Sequence, residues 1–221
     1  MKQFFIAIIS ILFISCIQKE KELLNKDLNY NVINSLIQYE NQLTNKKEIF
    51  SGIEDTIQYG RVLFINKTTK VLRLNNLKFG IKRALPFGTE FGNFFDLKDS
   101  SHIDSLFKMD AIQELDTLNI KSVSIYNASR KRINYDLIKE ISKTHNDDIL
   151  QFSPPYLDKN NNALIGSIRN CKEFQIEKLF HFKKVNNTWE IKKEIGIVYK
   201  RENPKDSSKA IYLGTINRAY N

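Results

Sequence analysis

The first hydrophobic segment of the chain has no polar face. Residues 4–14 are apolar except for Ser10, and Lys2 is the only charged residue before them. Eleven helical residues rise roughly 16 Å, about half the thickness of the hydrocarbon core of a bilayer. A charged start and a short apolar run are typical of a secretory signal peptide, whereas a terminal core helix would need a polar face.

Later segments repeat their apolar residues at helical spacing. In residues 27–45, with Asp27 as the predicted N-cap, these residues are Leu28, Val32, Ile33, Leu36, Ile37 and Leu43. The pattern predicts a long amphipathic helix that packs on the body of the protein. Membrane binding is the alternative, but the apolar face lacks Trp and Phe. Two further helices are predicted over 101–115, with Ser101 and Asp104 arranged as in a capping box, and over 135–142.

The C-terminal third alternates between strands and turns. Four successive antiparallel strands are predicted over 149–152, 163–168, 174–184 and 188–199. The turns are Pro154–Pro155 with Asp158–Asn162 before the second strand, and Asn186–Asn187 before the fourth. The third strand is apolar at Ile176, Leu179 and Phe182 among polar residues, which predicts a half-buried strand with a β-bulge.

Shorter strands are predicted in the first half of the chain. Residues 61–65 and 71–74 flank a turn-prone segment and predict a hairpin, and residues 123–126 predict one short strand. The fold class is therefore α+β: an antiparallel β-sheet, ending in the C-terminal four-stranded meander, with two or three helices packed on one face. The predicted organisation is a signal peptide over 1–15, a tether over 16–26 and a single α+β domain over 27–221.

One segment indicates that the signal peptide is of the lipoprotein type: Leu12–Phe13–Ile14–Ser15–Cys16. It resembles the bacterial lipobox, in which a small residue precedes a cysteine that receives diacylglycerol before the peptidase cuts. The transfer needs a thiol as its nucleophile, so Cys16 is the predicted lipid attachment site. Each buried acyl methylene contributes about 0.8 kcal/mol, and two or three acyl chains would hold the protein on its membrane.

The residues after Cys16 and the net charge indicate a location and partners. Residues 17–22 are similar to the Gln-Lys-acidic signal that sends some Bacteroidota lipoproteins to the cell surface, and the periplasmic face of the outer membrane is the alternative. Without residues 1–15, which include Lys2, 33 basic and 25 acidic side chains remain, a net charge of +8. This charge favours an anionic envelope surface or an acidic protein as partner, and the location argues against nucleic acid.

The sequence shows little that indicates metal or cofactor binding. The three histidines, His102, His145 and His181, are far apart and lack the short spacing of zinc ligands, so neither a metal nor a cofactor is expected. Residues 158–162 offer several oxygens but lack the ligand spacing of a calcium loop, and an Asn-rich turn is the preferred interpretation.

Two features could carry catalysis. With Cys16 committed to lipid, Cys171 is the only thiol left, so no intramolecular disulfide is expected. A buried structural cysteine is a better interpretation of Cys171 than a nucleophile. His145 with Asp147 and Asp148 combines a base with two carboxylates, and a polar connection between elements is the alternative. Trp189 is predicted to anchor the core of the last hairpin.

The region from about residue 107 to 199 resembles a group of uncharacterised Bacteroidota lipoproteins. The resemblance rests on Asp110–Ala111–Ile112–Gln113, Leu150–Gln151–Phe152–Ser153–Pro154 and Asn186–Asn187–Thr188–Trp189–Glu190–Ile191. The relatives often have a Cys-Gly-rich stretch where this chain has only Cys171. The resemblance implies the compartment and the fold but no activity.

Three functions follow as hypotheses. The first is a non-catalytic binding or interaction domain on the cell envelope, favoured by the predicted lipid anchor and the absence of catalytic motifs. The second is an immunity-type lipoprotein that binds a toxin. The third is a hydrolase that uses His145, Asp147 and Asp148.

Overall fold

The computed structural model describes residues 29–49, 56–65, 119–121, 124–126, 140, 147–171, 173–201 and 210–220. Its elements are, in chain order, α1 (Tyr30–Gln42), β1 (Lys47–Ile49), β2 (Thr56–Gln58), β3 (Arg61–Ile65), β4 (Ser124–Tyr126), β5 (Asp147–Phe152), β6 (Tyr156–Leu157), β7 (Asn162–Asn170), β8 (Phe174–Val185), β9 (Thr188–Arg201) and β10 (Ala210–Ala219). Strands β1 and β2 pair with each other, and the remaining strands form one sheet in the order β10-β9-β8-β7-β5-β3-β4, with β6 on β7. The fold is α+β with a mostly antiparallel sheet.

The predicted four-stranded meander is confirmed as β5, β7, β8 and β9, which pair in that order and antiparallel. Its last turn has Asn186 and Asn187 at φ values of 47° and 66°. Asn accepts this left-handed backbone more readily than most residues, and two such residues suit a tight hairpin turn. Strand β5 begins at Asp147, two residues earlier than predicted, and strand β10 was not predicted at all.

The strand over residues 61–65 is confirmed, but its pairing differs from the prediction. Strand β3 lies between β4 and β5 and runs parallel to both of them. With both edges taken by distant strands, β3 is not the first arm of a local hairpin. The proposed second arm, 71–74, lies outside the described residues. The short strand near residue 124 is confirmed as β4.

Helix α1 packs its apolar stripe on the sheet. The helix begins after Asn29, whose side-chain oxygen accepts hydrogen bonds from the backbone N–H groups of Asn31 and Val32, so Asn29 and not Asp27 is the N-cap. The buried core combines helical residues with residues of the sheet and the last hairpin: Val32, Ile33, Leu36, Ile37, Val62, Leu150, Phe152, Ala163, Ile165, Phe180, Phe182 and Trp189. Trp189 is therefore a core residue, as predicted.

Strand β8 is buried on both faces rather than on one. Residues 176–182 are all buried, which corrects the prediction of a half-buried strand. The predicted bulge exists at its pairing with β9, where His181 is opposite Lys193 but Phe182 is opposite Ile191. The extra residue is thus Lys192 on β9, and the bulge belongs to the fourth strand of the meander instead of the third.

Several predicted segments lie outside the described residues. These are the signal peptide and tether, the helix over 101–115 and the helix over 135–142 except Glu140. Among the residues that are described, no helix is long and apolar enough to cross a bilayer.

Candidate functional site

An open cleft of about 480 Å³ lies near the β8–β9 hairpin, where strands β7, β8 and β9 present polar side chains. Its lining comes from the turn before β7, from the four strands β7 to β10 and from the residue after β10: Asp158, Asn160, Asn162, His181, Lys183, Lys192, Lys193, Ala219 and Tyr220. By strand alternation, His181, Lys183 and Lys193 project from the face of the sheet opposite α1. The volume is in the range of small-molecule sites.

A chain of hydrogen bonds from Asp158 to His181 fixes one side of the cleft. Asp158 Oδ1 accepts from the backbone N–H groups of Asn160 and Asn162, both at 2.8 Å, and Asp158 Oδ2 accepts from Asn162 Nδ2 at 2.8 Å. The carbonyl oxygen of the same Asn162 amide lies 3.0 Å from His181 Nε2. Because that oxygen can only accept, His181 Nε2 carries a hydrogen and the imidazole is held in one orientation.

This arrangement explains why residues 158–162 behave as a turn. Burial acts to raise the pKa of Asp158, but the hydrogen bonds from the Asn162 side chain and from the backbone of Asn162 and Asn160 lower it overall. The carboxylate is consequently ionised and already bonded within the turn. The prediction of an Asn-rich turn is confirmed by Asn161, which has a φ of 61°.

The bulge in β9 brings two consecutive lysines to the cleft. In a regular strand Lys192 and Lys193 would point to opposite faces of the sheet. The extra residue at Lys192 changes the local direction of the strand, and both side chains line the cleft. Lys183 on β8 is the third ammonium group of the lining.

The lining has an excess of positive charge. Among the described residues of the lining there are three lysines and one aspartate, a formal charge of +2 with His181 neutral. Lys192 also pairs at 3.0 Å with Glu190, whose side chain is 45% exposed, and such exposed pairs neutralise a charge only in part. The cleft can therefore attract an anion.

A second group of charged residues is buried beneath α1 and centres on Arg169 of β7. The guanidinium donates to Asp148 Oδ2 at 2.7 Å, to Glu40 Oε2 at 2.8 Å and to the backbone oxygens of Glu40 and Gly60 at 2.9 and 2.6 Å. It also lies 4.6 Å from the centre of the Tyr59 ring. Arg169 is fully buried and joins the helix to β5 and to Gly60, the residue before β3.

Lys178 of β8 completes the charge balance of this buried group. Its ammonium lies 3.3 Å from Glu40 Oε1 and 5.5 Å from the centres of the Tyr39 and Phe180 rings. Burial acts to raise the pKa of Glu40, but the positive charges of Lys178 and Arg169 outweigh it and hold the pKa below its ordinary value. The two carboxylates, Glu40 and Asp148, therefore balance two cations.

A pair of tyrosine hydroxyls lies beside a second set of charged residues. Tyr39 donates to Glu194 Oε2 at 2.7 Å, and Tyr220, which lines the cleft, lies 2.6 Å from the Tyr39 hydroxyl. Because the single hydroxyl hydrogen of Tyr39 goes to the carboxylate, Tyr220 is the donor in that pair. Arg218 binds Glu194 at 2.8 Å and Glu48 at 2.9 Å. This network lies on the α1 side of the sheet, where Glu194 is opposite Phe180, whereas His181, Lys183 and Lys193 project from the other side.

The structure places the two aspartates of the hydrolase hypothesis apart from each other. Asp147 and Asp148 are adjacent in β5, so their side chains point to opposite faces. Asp147 accepts two hydrogen bonds from Arg61, at 3.0 and 3.1 Å, and Asp148 is held by Arg169. The two residues are 2% and 4% exposed. These contacts weigh against a joint catalytic role, and His145 lies outside the described residues.

The remaining predicted residues have separate positions. Cys171 is buried with a free thiol, and burial, followed by the charge of Asp148, raises its pKa well above the ordinary value. This agrees with the interpretation of a structural cysteine. Cys16 and His102 lie outside the described residues. Among those described, no three His, Cys, Asp or Glu side chains form a group that could hold a metal ion.

The sequence interpretation missed Lys183, Lys192, Lys193 and Tyr220. A signal was present, because Lys183–Lys184 and Lys192–Lys193 are paired lysines on the two arms of one predicted hairpin. In the structure Lys183 lies opposite Glu190 and Lys193 lies opposite His181, so the lysines share one face of the hairpin without pairing directly. Comparison with protein-family models, curated proteins and solved structures found no match to this chain.

Proposed function

We propose that the chain is a lipid-anchored envelope protein whose folded part is a non-catalytic binding domain. The observation that carries this proposal is the basic cleft beside the β8–β9 bulge. It is open and of small-molecule size, and the hydrogen bonds among Asp158, Asn162 and His181 fix one side of it. Among the described residues of its lining there is no Ser, Thr or Cys that could act as an activated nucleophile.

The anchor and the location belong to the same proposal. Cys16 would carry the lipid, and residues 17–26 would form the tether. The cell surface is the favoured location, with the periplasmic face of the outer membrane as the alternative. In either place the positive charge of the domain would favour an anionic envelope component or an acidic protein.

The finer architecture is also proposed. Two further helices, over 101–115 and 135–142, would join α1 on one face of the sheet. Backbone chemical shifts of the domain would test this, since helical shifts are expected over both ranges and extended shifts over either would contradict it.

The anchor can be tested by changing one cysteine at a time. The full precursor, Cys16→Ala and Cys171→Ala would be expressed in a Bacteroidota host and fractionated. We expect wild type and Cys171→Ala in the membrane fraction and Cys16→Ala to be unprocessed and lost from it. Unchanged attachment of Cys16→Ala would refute the anchor. Protease treatment of intact cells then separates the two locations, since only a surface protein is digested.

The absence of catalysis has its own test. The purified domain without residues 1–16 would be screened against broad ester, amide and phosphate-ester substrates, alongside His145→Ala. We expect no turnover above background. Turnover that is lost in His145→Ala would refute the binding-domain proposal in favour of the hydrolase.

A further inference from the structure

Strand β10 is at one end of the sheet and has an open edge. Among the described residues β9 is its only pairing partner, and the opposite end of the sheet is the three-residue strand β4. Three residues of β10 are exposed at alternate positions: Thr215, Asn217 and Ala219. A long exposed edge strand offers unpaired backbone groups to another strand, whereas a very short one offers few. Strand β10 is therefore the edge that can accept a further strand.

The register of β10 fixes which of its backbone groups face outward. The N–H of Tyr220 donates to the carbonyl oxygen of Lys192 on β9 at 2.8 Å. In an antiparallel pair, residues that bond to the partner strand alternate with residues whose N–H and C=O point away from it. The pairing with β9 is regular over residues 214–219, so the three exposed residues are also those whose backbone groups face outward.

Residues 214–219 lack the features that usually block such an edge. The segment contains no Lys, Asp, Glu or Pro, and natural edge strands commonly use charges, proline or a bulge against unwanted pairing. Its one charged side chain, Arg218, binds Glu194 at 2.8 Å and Glu48 at 2.9 Å, so this charge is neutralised within the chain. The bulge of β10 is at Leu213, before the segment. The edge over residues 214–219 is thus regular and unprotected.

This segment is complementary to itself. Two copies of β10 that pair antiparallel about Asn217 place Asn217 opposite Asn217 and Thr215 opposite Ala219. Three facing pairs of outward residues, with two bonds in each pair, give about six hydrogen bonds. Moving the axis to Arg218 would put two arginines opposite each other, and like charges across strands are destabilising. Moving it to Ile216 leaves only two such pairs of outward residues. One register is therefore favoured.

We infer that β10 is a self-association surface, through which two copies of this chain form a two-fold symmetric dimer with one continuous sheet. The inference goes beyond the proposed binding function and does not depend on it. Symmetric pairs of identical surfaces are the commonest way in which soluble proteins form dimers. An acidic segment of another protein is the alternative occupant, but Arg218, the one cation of residues 214–219, is already bound to two carboxylates.

The dimer is expected to be weak. A single pair of strands buries little surface, as in transient contacts between proteins. The net positive charge of the chain also opposes the approach of a second copy. Lipid anchors, as proposed above, would confine two copies to one surface and raise their local concentration, which suits a weak contact.

Amide hydrogen exchange of the chain without residues 1–16 tests the edge in the wild-type sequence. At about 10 μM protein we expect fast exchange at Thr215, Asn217 and Ala219 and slow exchange at Ile216 and Arg218, whose N–H groups face β9. At about 1 mM the first three amides should exchange at least about ten-fold more slowly, and sedimentation should show a dimer. Fast exchange of the three amides at both concentrations would overturn the inference, as would slow exchange in a chain that sediments as a monomer.

Two substitutions at one position provide matched variants. Asn217→Pro removes the outward N–H without removing a bond to β9, and proline is tolerated at such edge positions. Asn217→Ala changes the side chain and keeps this N–H. By symmetry the proline removes two of about six bonds, so we expect the dissociation constant to rise about ten-fold or more, against less than about two-fold in Asn217→Ala. A dimer that persists unchanged in folded Asn217→Pro would lie elsewhere and overturn the inference. Trp189 fluorescence checks folding, and the wild-type exchange pattern decides if this variant is unfolded.

Peptides distinguish a second copy from another protein. One synthetic peptide has the sequence of residues 210–219, and another has the same residues in scrambled order between glutamates. We expect the first to slow exchange of the same three amides and to dissociate the dimer, and the second to do neither. A chain that stays monomeric at about 1 mM, and whose edge only the glutamate-flanked peptide protects, would overturn the second copy in favour of an acidic segment. None of these results alters the Cys16 fractionation, so the two proposals fail separately.

Discussion

Replacing Glu40 with Gln would test how the charges beneath α1 depend on one carboxylate. Glu40 is fully buried and accepts from Arg169 at 2.8 Å and lies 3.3 Å from the Lys178 ammonium. Glutamine keeps the size of the side chain and one acceptor but removes the negative charge. Asp148 would then face two cations alone, so one buried positive charge would lack a counter-charge.

The magnitude follows from this loss of balance. Removing one partner of a buried ion pair typically costs about 3–5 kcal/mol, because the other charge is left without compensation. Arg169 keeps its bond to Asp148, and Lys178 keeps the rings of Tyr39 and Phe180 at 5.5 Å, so a larger loss is not expected. We therefore expect Glu40→Gln to lower the free energy of unfolding by about 3–5 kcal/mol, a large part of the usual 5–15 kcal/mol.

Urea unfolding followed by Trp189 fluorescence would measure this loss. Trp189 is the one tryptophan of the chain and is part of the buried core that includes α1. The matched control is Glu190→Gln, which removes a carboxylate from the exposed pair with Lys192 and should cost about 0–1 kcal/mol. A loss in Glu40→Gln no larger than that of the control would refute the reasoning.

A double variant separates charge imbalance from lost packing. Glu40→Gln combined with Lys178→Met removes one charge of each sign and leaves Arg169 paired with Asp148. We expect the double variant to be more stable than the sum of the two single losses predicts, by about 0.5–3 kcal/mol. Strict additivity would show that Glu40 and Lys178 do not stabilise each other.

The same carboxylate predicts a dependence on pH. Burial raises the pKa of Glu40, but Lys178 and Arg169 outweigh it and hold the pKa below the ordinary value of 4.5. A lowered pKa means that the stabilisation is present above about pH 4.5 and is lost as the pH falls through the folded-state pKa. The free energy of unfolding of Glu40→Gln should therefore fall less steeply with acid than that of wild type. Equally steep acid limbs would contradict this.

Three further predictions use the same domain. Gly196→Ala should cost about 1–3 kcal/mol in the urea assay, because its Cβ would lie 2.6 Å from the Glu177 carbonyl oxygen and 2.9 Å from Lys178 Cγ; an unchanged midpoint would contradict that close contact. Cys171, the one thiol left without residues 1–16, should react with a thiol reagent only as fast as the domain unfolds, and rapid labelling of the native protein would show that it is accessible. Burial and Glu194 raise the pKa of Tyr39 above 10.0, so stability should decline above pH 10.0 and decline less in Tyr39→Phe; identical alkaline limits would argue against its hydrogen bond to Glu194.

Local features of the chain were predictable because they depend on neighbouring residues. The four meander strands follow from runs of apolar residues between turn-forming ones, and the Asn186–Asn187 turn follows from the tolerance of Asn for positive φ. The face of α1 follows from helical spacing, and the burial of Cys171 and Trp189 follows from their flanking strands. Each of these depends on a pattern within about a dozen residues.

Pairings between distant parts of the chain were not predictable in the same way. The parallel neighbours of β3 come from residues 124–126 and 147–152, so local alternation suggested a hairpin instead. The sequence pattern places Glu40 on the polar side of a helix. It is nevertheless buried, because Arg169, 129 positions later in the chain, donates a hydrogen bond to its carboxylate. A polar residue is buried only where its partner is also buried, and the identity of that partner depends on the whole fold.

The candidate site depended most on the tertiary structure. The sequence shows four polar residues in the predicted hairpin: His181, Lys183, Lys192 and Lys193. They line one cleft only because of the bulge at Lys192 and the register in which β8 pairs with β9. A shift of one residue in that pairing would send Lys193 to the opposite face. Sequence patterns thus specified which residues were available for binding, while strand register decided which of them share a cleft, because register depends on the packing of the sheet against its core.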